Sequence, residues 1–94
     1  MTRLEVFQAI DRELNFAVEN FPRMVSYHEG FAILLEEVDE LWDEIKQKEL
    51  SQAEVRKEAV QVACMAIRFL LDLIPSASSA PGGRGPSKRL PDVQ

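Results

Sequence analysis

The stretch Ser26-Tyr27-His28-Glu29-Gly30-Phe31-Ala32-Ile33-Leu34-Leu35-Glu36-Glu37-Val38-Asp39-Glu40-Leu41-Trp42 decides how this chain is read. A serine followed three positions later by glutamate marks a capping box. There the hydroxyl and the carboxylate satisfy two free N–H groups at a helix start. Behind it Phe31, Leu34, Leu35, Val38, Leu41, Trp42 and Ile45 recur at the three-and-four spacing of one helical face. The arrangement occurs twice more. Thr2…Glu5 precedes Phe7, Ile10, Leu14, Ala17, Val18 and Phe21, and Ser51…Glu54 precedes Val55, Ala59, Val62, Ala66, Phe69, Leu70 and Leu73. The spacing predicts helices over 3–20, 27–49 and 52–74. Pro22 and Pro75 stop the first and the third, because proline cannot continue a helix interior. Sustained period-two alternation and Asn-Gly or Asp-Gly turns are both absent, so no strand competes.

The expected fold class is therefore all-α. Short connections predict a three-helix antiparallel protomer. Residues 1–74 form the helical domain. Residues 75–94, rich in Pro, Gly and Ser, have nothing to bury and are expected to be a flexible tail. A body of this size buries only roughly 60% of its unfolded surface and is marginal alone. Assembly into a helical-bundle homo-oligomer, a homodimer or homotetramer, follows as an expectation.

The 94 residues carry a net charge of −5. The tail holds Arg84, Lys88 and Arg89 against Asp92, so the helical part carries −7. An acidic body argues against a nucleic-acid polymer as partner, since that needs a basic face. It leaves room for a nucleotide, because a bound metal reverses the local sign. No segment approaches the roughly 18 apolar residues that span a bilayer, and the N-terminus is charged from Arg3 onward without an apolar stretch. A cytoplasmic protein with no membrane contact is expected. The one cysteine, Cys64, lies in an apolar run and reads as a buried, reduced thiol; alone it makes neither a disulfide framework nor a zinc site.

Acids cluster at one helical spacing. With Val38 at the centre of the second helix's buried face, Glu37, Glu40 and Glu44 form a single stripe along its border. On the third helix Glu58 is the most core-facing acid in the chain, with Gln61 one turn further on the same side. A carboxylate so placed calls for a cation, and two antiparallel helices carrying such acids can aim several oxygens at one hard divalent ion such as Mg²⁺. Glutamates along helices of acidic proteins are also commonly just a solvated face.

Glu36-Glu37-x-x-Glu40, then 17 intervening residues, then Glu58-x-x-Gln61, resembles the signature of the MazG-like all-α nucleoside triphosphate pyrophosphohydrolases. In that family EExxE is followed at a similar distance by ExxD. The similarity covers roughly His28 to Leu73. It implies that Glu37, Glu40 and Glu58 are ligands of Mg²⁺, with Mn²⁺ as an alternative, and that Gln61 stands where the family has its last acid. An amide carbonyl can ligate a metal but supplies no charge, and Glu54, one turn before Glu58, could compensate. The resemblance further implies hydrolysis of a (deoxy)nucleoside triphosphate to a monophosphate and pyrophosphate, with nucleotide-pool sanitation as the role. Glu37 or Glu40 would orient or deprotonate the attacking water. Lys46, Arg56, Lys57 and His28 are the candidate substrate-binding residues near phosphate or base. Trp42 is expected in the core rather than stacking on a base, Phe16 and Tyr27 are weaker stacking candidates, and Arg68 is expected to pair with Asp72. A non-catalytic helical interaction module on the same scaffold is the rival reading, with Gln61 as its best support.

Overall fold

The computed structural model describes residues 1–76. They form α1 (Arg3–Asn20), α2 (Tyr27–Ile45) and α3 (Gln52–Leu73), with no strand among them. The tail expected over 75–94 therefore lies, apart from Pro75 and Ser76, outside the described residues. None of these helices is long and apolar enough to cross a membrane.

All three hydroxyls cap their helices as expected, but the reciprocal carboxylate half of the box is complete only at α1. At α1 the box is complete: Thr2 Oγ1 accepts from the Glu5 N–H (3.1 Å), and Glu5 accepts from the Thr2 N–H (2.8 Å). Those bonds hold the Glu5 carboxyl below the usual carboxylate range. At α2 Ser26 accepts from the Glu29 N–H (3.0 Å), but the Glu29 carboxylate reaches one residue further back, to the Val25 N–H (2.7 Å). At α3 Ser51 accepts from the Glu54 N–H (3.2 Å). The ends also have local causes. Phe21 is extended ahead of Pro22, and Ile74 ahead of Pro75, because a residue before proline is excluded from helical angles. α2 stops at Ile45, four residues earlier than its spacing predicts. Lys46-Gln47-Lys48-Glu49 offers no apolar side chain to bury, and Gln47 Nε2 takes the Asp43 carbonyl (2.9 Å), satisfying one of the last free acceptors.

Consecutive helices alternate in direction, yet α1 does not pack on α2. Both lie against α3, and α1 and α2 do not approach each other. Gly30 of α2 meets Phe69 and Leu73 of α3, whereas Glu37 and Glu40 meet Glu58, so α2 and α3 run antiparallel. Gln61 bonds Glu13, and Arg68 and Asp72 bond residues 22–24, so α1 and α3 run parallel. The core is small: Ala17, Met24, Cys64 and Met65, with Leu14, Ile33, Leu34, Phe69 and Leu73 packed around it. Cys64 is fully buried, as expected, and burial pushes its thiol up.

This arrangement corrects the expected stripes. On α2 the row Phe31, Leu35, Val38, Trp42, Ile45 is exposed, with Phe31 at 61% and Trp42 at 56%, so Trp42 is not a core residue of the protomer. Phe7 and Val18 of α1, Phe21 just after it, and Leu70 of α3 are exposed as well. The cause is close approach at Gly30. A Cβ there would lie 2.7 Å from the Phe69 ring and 2.8 Å from a Leu73 methyl. The missing side chain turns the Gly30–Leu34–Leu41 side of α2 onto α3 and leaves the neighbouring apolar row outside. Tyr27 stacks on the Phe69 ring, centroids 5.9 Å apart.

A buried ion pair fixes the loop between α1 and α2. Arg68, 5% exposed, donates from Nη2 to the Pro22 carbonyl (2.8 Å) and lies 3.8 Å from the Asp72 carboxylate. Asp72 accepts from the Met24 N–H (2.9 Å) and also faces Arg23. The expected pairing of Arg68 with Asp72 is present.

Two outcomes follow for thermal or urea unfolding. Gly30→Val forces Phe69 and Leu73 aside and lowers stability by about 1–3 kcal/mol, the usual cost of overpacking. Asp72→Ala leaves Arg68 buried without its counter-charge and costs about 3–5 kcal/mol; a change near zero would show that the pair does not hold the loop.

Candidate metal centre

Glu37 and Glu40 stand one turn apart on α2, and Glu58 stands near the start of α3. The six-residue connection between the two helices keeps these ends level, so one carboxylate oxygen of each glutamate lies within 4.8 Å of the others. Glu37 and Glu58 are partly buried and Glu40 is exposed. Like charge is thus concentrated where water is partly excluded. Burial, then the charges of Glu40, Glu58 and Glu36, hold the Glu37 carboxyl above the usual carboxylate range. Burial raises Glu58 too, helped by the charge of Glu40, opposed by Lys57, and reinforced by a shared hydrogen bond with Glu40 and the charge of Glu44. A proton or a cation relieves both groups. Three carboxylates with water on one side are a donor set for a hard divalent ion, and nothing in their geometry selects between such ions.

Gln61 lies one turn beyond Glu58 but is tied to α1. Its Nε2 donates to Glu13 Oε1 at 2.7 Å. Glu54 is exposed and does not join the three glutamates. A cleft of about 500 Å³ opens between α1 and α2, floored by Gln61, Met65 and Arg68 of α3. Glu13 and Phe16 line it from α1, and Ile33, Glu36 and Glu37 from α2. Glu37 therefore belongs to both the glutamate cluster and the cleft.

Of the expected substrate-binding residues none lines this cleft. Lys46 pairs with Asp43 (3.2 Å) at the end of α2. Arg56 lines a separate apolar groove with Val6, Ile10 and Ala63. His28 is exposed in the first turn of α2, and Lys57 acts electrostatically on Glu58. The cations actually in the cleft are Arg23 and Arg68, both occupied with Asp72. Phe16 does face the cleft, whereas Tyr27 is engaged with Phe69. Sequence spacing missed Glu13 and the cleft-facing position of Arg68. Both require knowing that α1 lies parallel on α3, and no local pattern reports that.

Comparison with family models, with curated proteins and with solved structures gives no match for this chain.

Because its folded-state proton affinity is raised, ionised Glu58 opposes folding at pH values above that raised level, and the opposition fades as pH falls toward the unfolded value. Metal-free Glu58→Gln should therefore melt higher than the parent chain at pH 7, by roughly 2–5 °C, and the gain should shrink by pH 4. A lower melting temperature at pH 7 would mean that the carboxylate is not strained by its neighbours.

Proposed function

We propose that the protein is a divalent-metal-dependent nucleoside triphosphate pyrophosphohydrolase of the MazG-like type, acting as a homodimer or homotetramer on (d)NTPs in nucleotide-pool sanitation. The observation that carries this reading is the convergence of Glu37, Glu40 and Glu58, the acids of the EExxE and following half-motifs. A triphosphate is repelled by such a cluster unless a cation intervenes. Glu37, Glu40 and Glu58 would hold Mg²⁺ or Mn²⁺, which would offset the phosphate charge and acidify a water.

The residues divide the remaining work. Glu37 faces both the cluster and the cleft, and so joins the ion to the place where a substrate would lie. Glu40, the most exposed of the three, is open to solvent and suited to accept the proton of the attacking water. The hydroxyl adds to phosphorus, the α–β bridging oxygen leaves with pyrophosphate, and the proton passes to the carboxylate. Lys57, beside Glu58, is the cation best placed to meet phosphate outside the cleft. Phe16 and Ile33 give the cleft an apolar side for the rest of the nucleotide.

A second reading, a helical interaction module without turnover, draws on Gln61. That residue takes the place of the motif's last acid, and its amide nitrogen is engaged by Glu13.

Pyrophosphate release over a panel of nucleoside triphosphates separates the two. The enzyme reading expects Mg²⁺- or Mn²⁺-dependent release that falls by roughly 10²–10⁴ in Glu40→Gln. Absence of release from every triphosphate, or equal release from Glu40→Gln, would leave the interaction module standing.

A further inference from the structure

We propose that the end of the cleft away from Glu37 is a base site, in which the Arg68 guanidinium selects a nucleobase that carries a carbonyl oxygen. This assignment rests on the hydrolase reading, which puts phosphate at the Glu37 end. The cleft is ordered along α3. Gln61, one turn beyond Glu58, marks the end where the glutamates converge, and Arg68, bonded to the Pro22 carbonyl, marks the other. Position 68 is seven residues beyond position 61, which is roughly 10 Å of helix. That is the reach from the α-phosphate of a nucleotide across its sugar to the far edge of the base. A recess of about 500 Å³ accommodates a nucleoside.

The Arg68 end also has a place for a planar ring. Phe16 and Phe21 both line the cleft, edge to face with centroids 6.2 Å apart, and both are more than half exposed. Phe21 adjoins Pro22, whose carbonyl Arg68 holds, so this aromatic pair belongs to the same end. Aromatic rings left bare beside a recess are platforms on which a base stacks.

Selectivity comes from incomplete hydrogen bonding at Arg68. Its Nη2 donates to the Pro22 carbonyl at 2.8 Å and lies 3.8 Å from the Asp72 carboxylate. Its Nη1 finds only the Met65 sulfur, at 3.6 Å. A thioether is a weak acceptor, and a residue 5% exposed has little water to make up the deficit. Met65 lines the cleft as well, so the poorly used N–H groups lie at its floor. Arg23, at the same end, is solvated and held by the Asp72 carbonyl and carboxylate, and has no such deficit. Asp72 already balances the charge of Arg68, so Nη1 lacks an acceptor rather than a counter-ion. A neutral carbonyl oxygen on a stacked base meets that need without adding charge. An amino group in the same place sets donor against donor. Hypoxanthine and adenine share a ring system and differ along this edge, an oxygen in the one and an amino group in the other.

The test compares inosine with adenosine on the full chain, twice. Without metal, the two nucleosides are titrated to ~10 mM and binding is followed by backbone amide NMR shifts. With Mg²⁺, kcat/KM is measured for the two triphosphates. Inosine should bind roughly 10- to 100-fold more tightly than adenosine, with the largest shifts at Phe16, Phe21 and Met65, and inosine triphosphate should be favoured in kcat/KM by a similar factor. Phe16→Ala should weaken both nucleosides by roughly 5-fold or more and leave the preference intact. Met65→Leu removes the competing sulfur and should widen the preference; should it fail to fold by circular dichroism, the parent chain's preference decides the matter. Equal or stronger binding of adenosine overturns the proposal. So does the absence of inosine binding, or shifts confined to residues outside the cleft. Triphosphates left intact while inosine is still preferred would strike the hydrolase reading and leave the base site standing, whereas turnover without preference strikes the base site alone.

Discussion

Arg68 and Asp72, a buried cation and a nearly buried anion one turn apart on α3, set the geometry of this protein. Neither could remain there alone, because an unpaired charge out of water is costly. Each is also completed by main chain from the connection between α1 and α2: the Pro22 carbonyl on Arg68 and the Met24 N–H on Asp72. The connection is thereby pinned across the end of α3. Once residues 22–24 are held at that point, α1 must run back along α3 in parallel and α2 must start on the opposite flank. The separation of α1 from α2, and so the cleft between them, follows from this pin. Hydrophobic packing contributes less direction, because among the described residues the buried apolar set is Ala17, Met24, Cys64 and Met65.

The molecule is two-sided as a result. On one side, acids, the Gln61–Glu13 bond and the arginines surround a recess. On the other, aromatic and branched side chains of α2 lie beside the alanines of α3. The acidic side works against stability, since Glu37 and Glu58 are both harder to ionise than a free carboxylate. Such strain is tolerated where a ligand relieves it.

The boundaries of α1 and the starts of α2 and α3 were legible in the chain, because caps and prolines act locally: Thr2, Ser26 and Ser51 begin helices, and Pro22 and Pro75 follow their ends. The meeting of Glu37, Glu40 and Glu58 was also legible, since it needs only the i, i+3 step and a short antiparallel link. What spacing could not show was which side of α2 meets α3. Its apolar arc runs from Leu34 and Leu41 round to Phe31 and Trp42, wider than one neighbouring helix can cover, and a residue without a side chain, Gly30, settled the choice. Nor could a pattern of apolar residues find Arg68, which is buried through charge and main-chain bonding, or Glu13, whose partner lies 48 positions away.

Cys64 sits where α1 and α3 press together and has no accessible surface. Its sulfur is therefore sealed from any reagent as long as the helices stay associated. Because it is the only thiol in the chain, covalent capture by an alkylating agent can proceed only through an opened form. The rate of that capture reads how often the protein breathes, giving an internal clock that needs no added label.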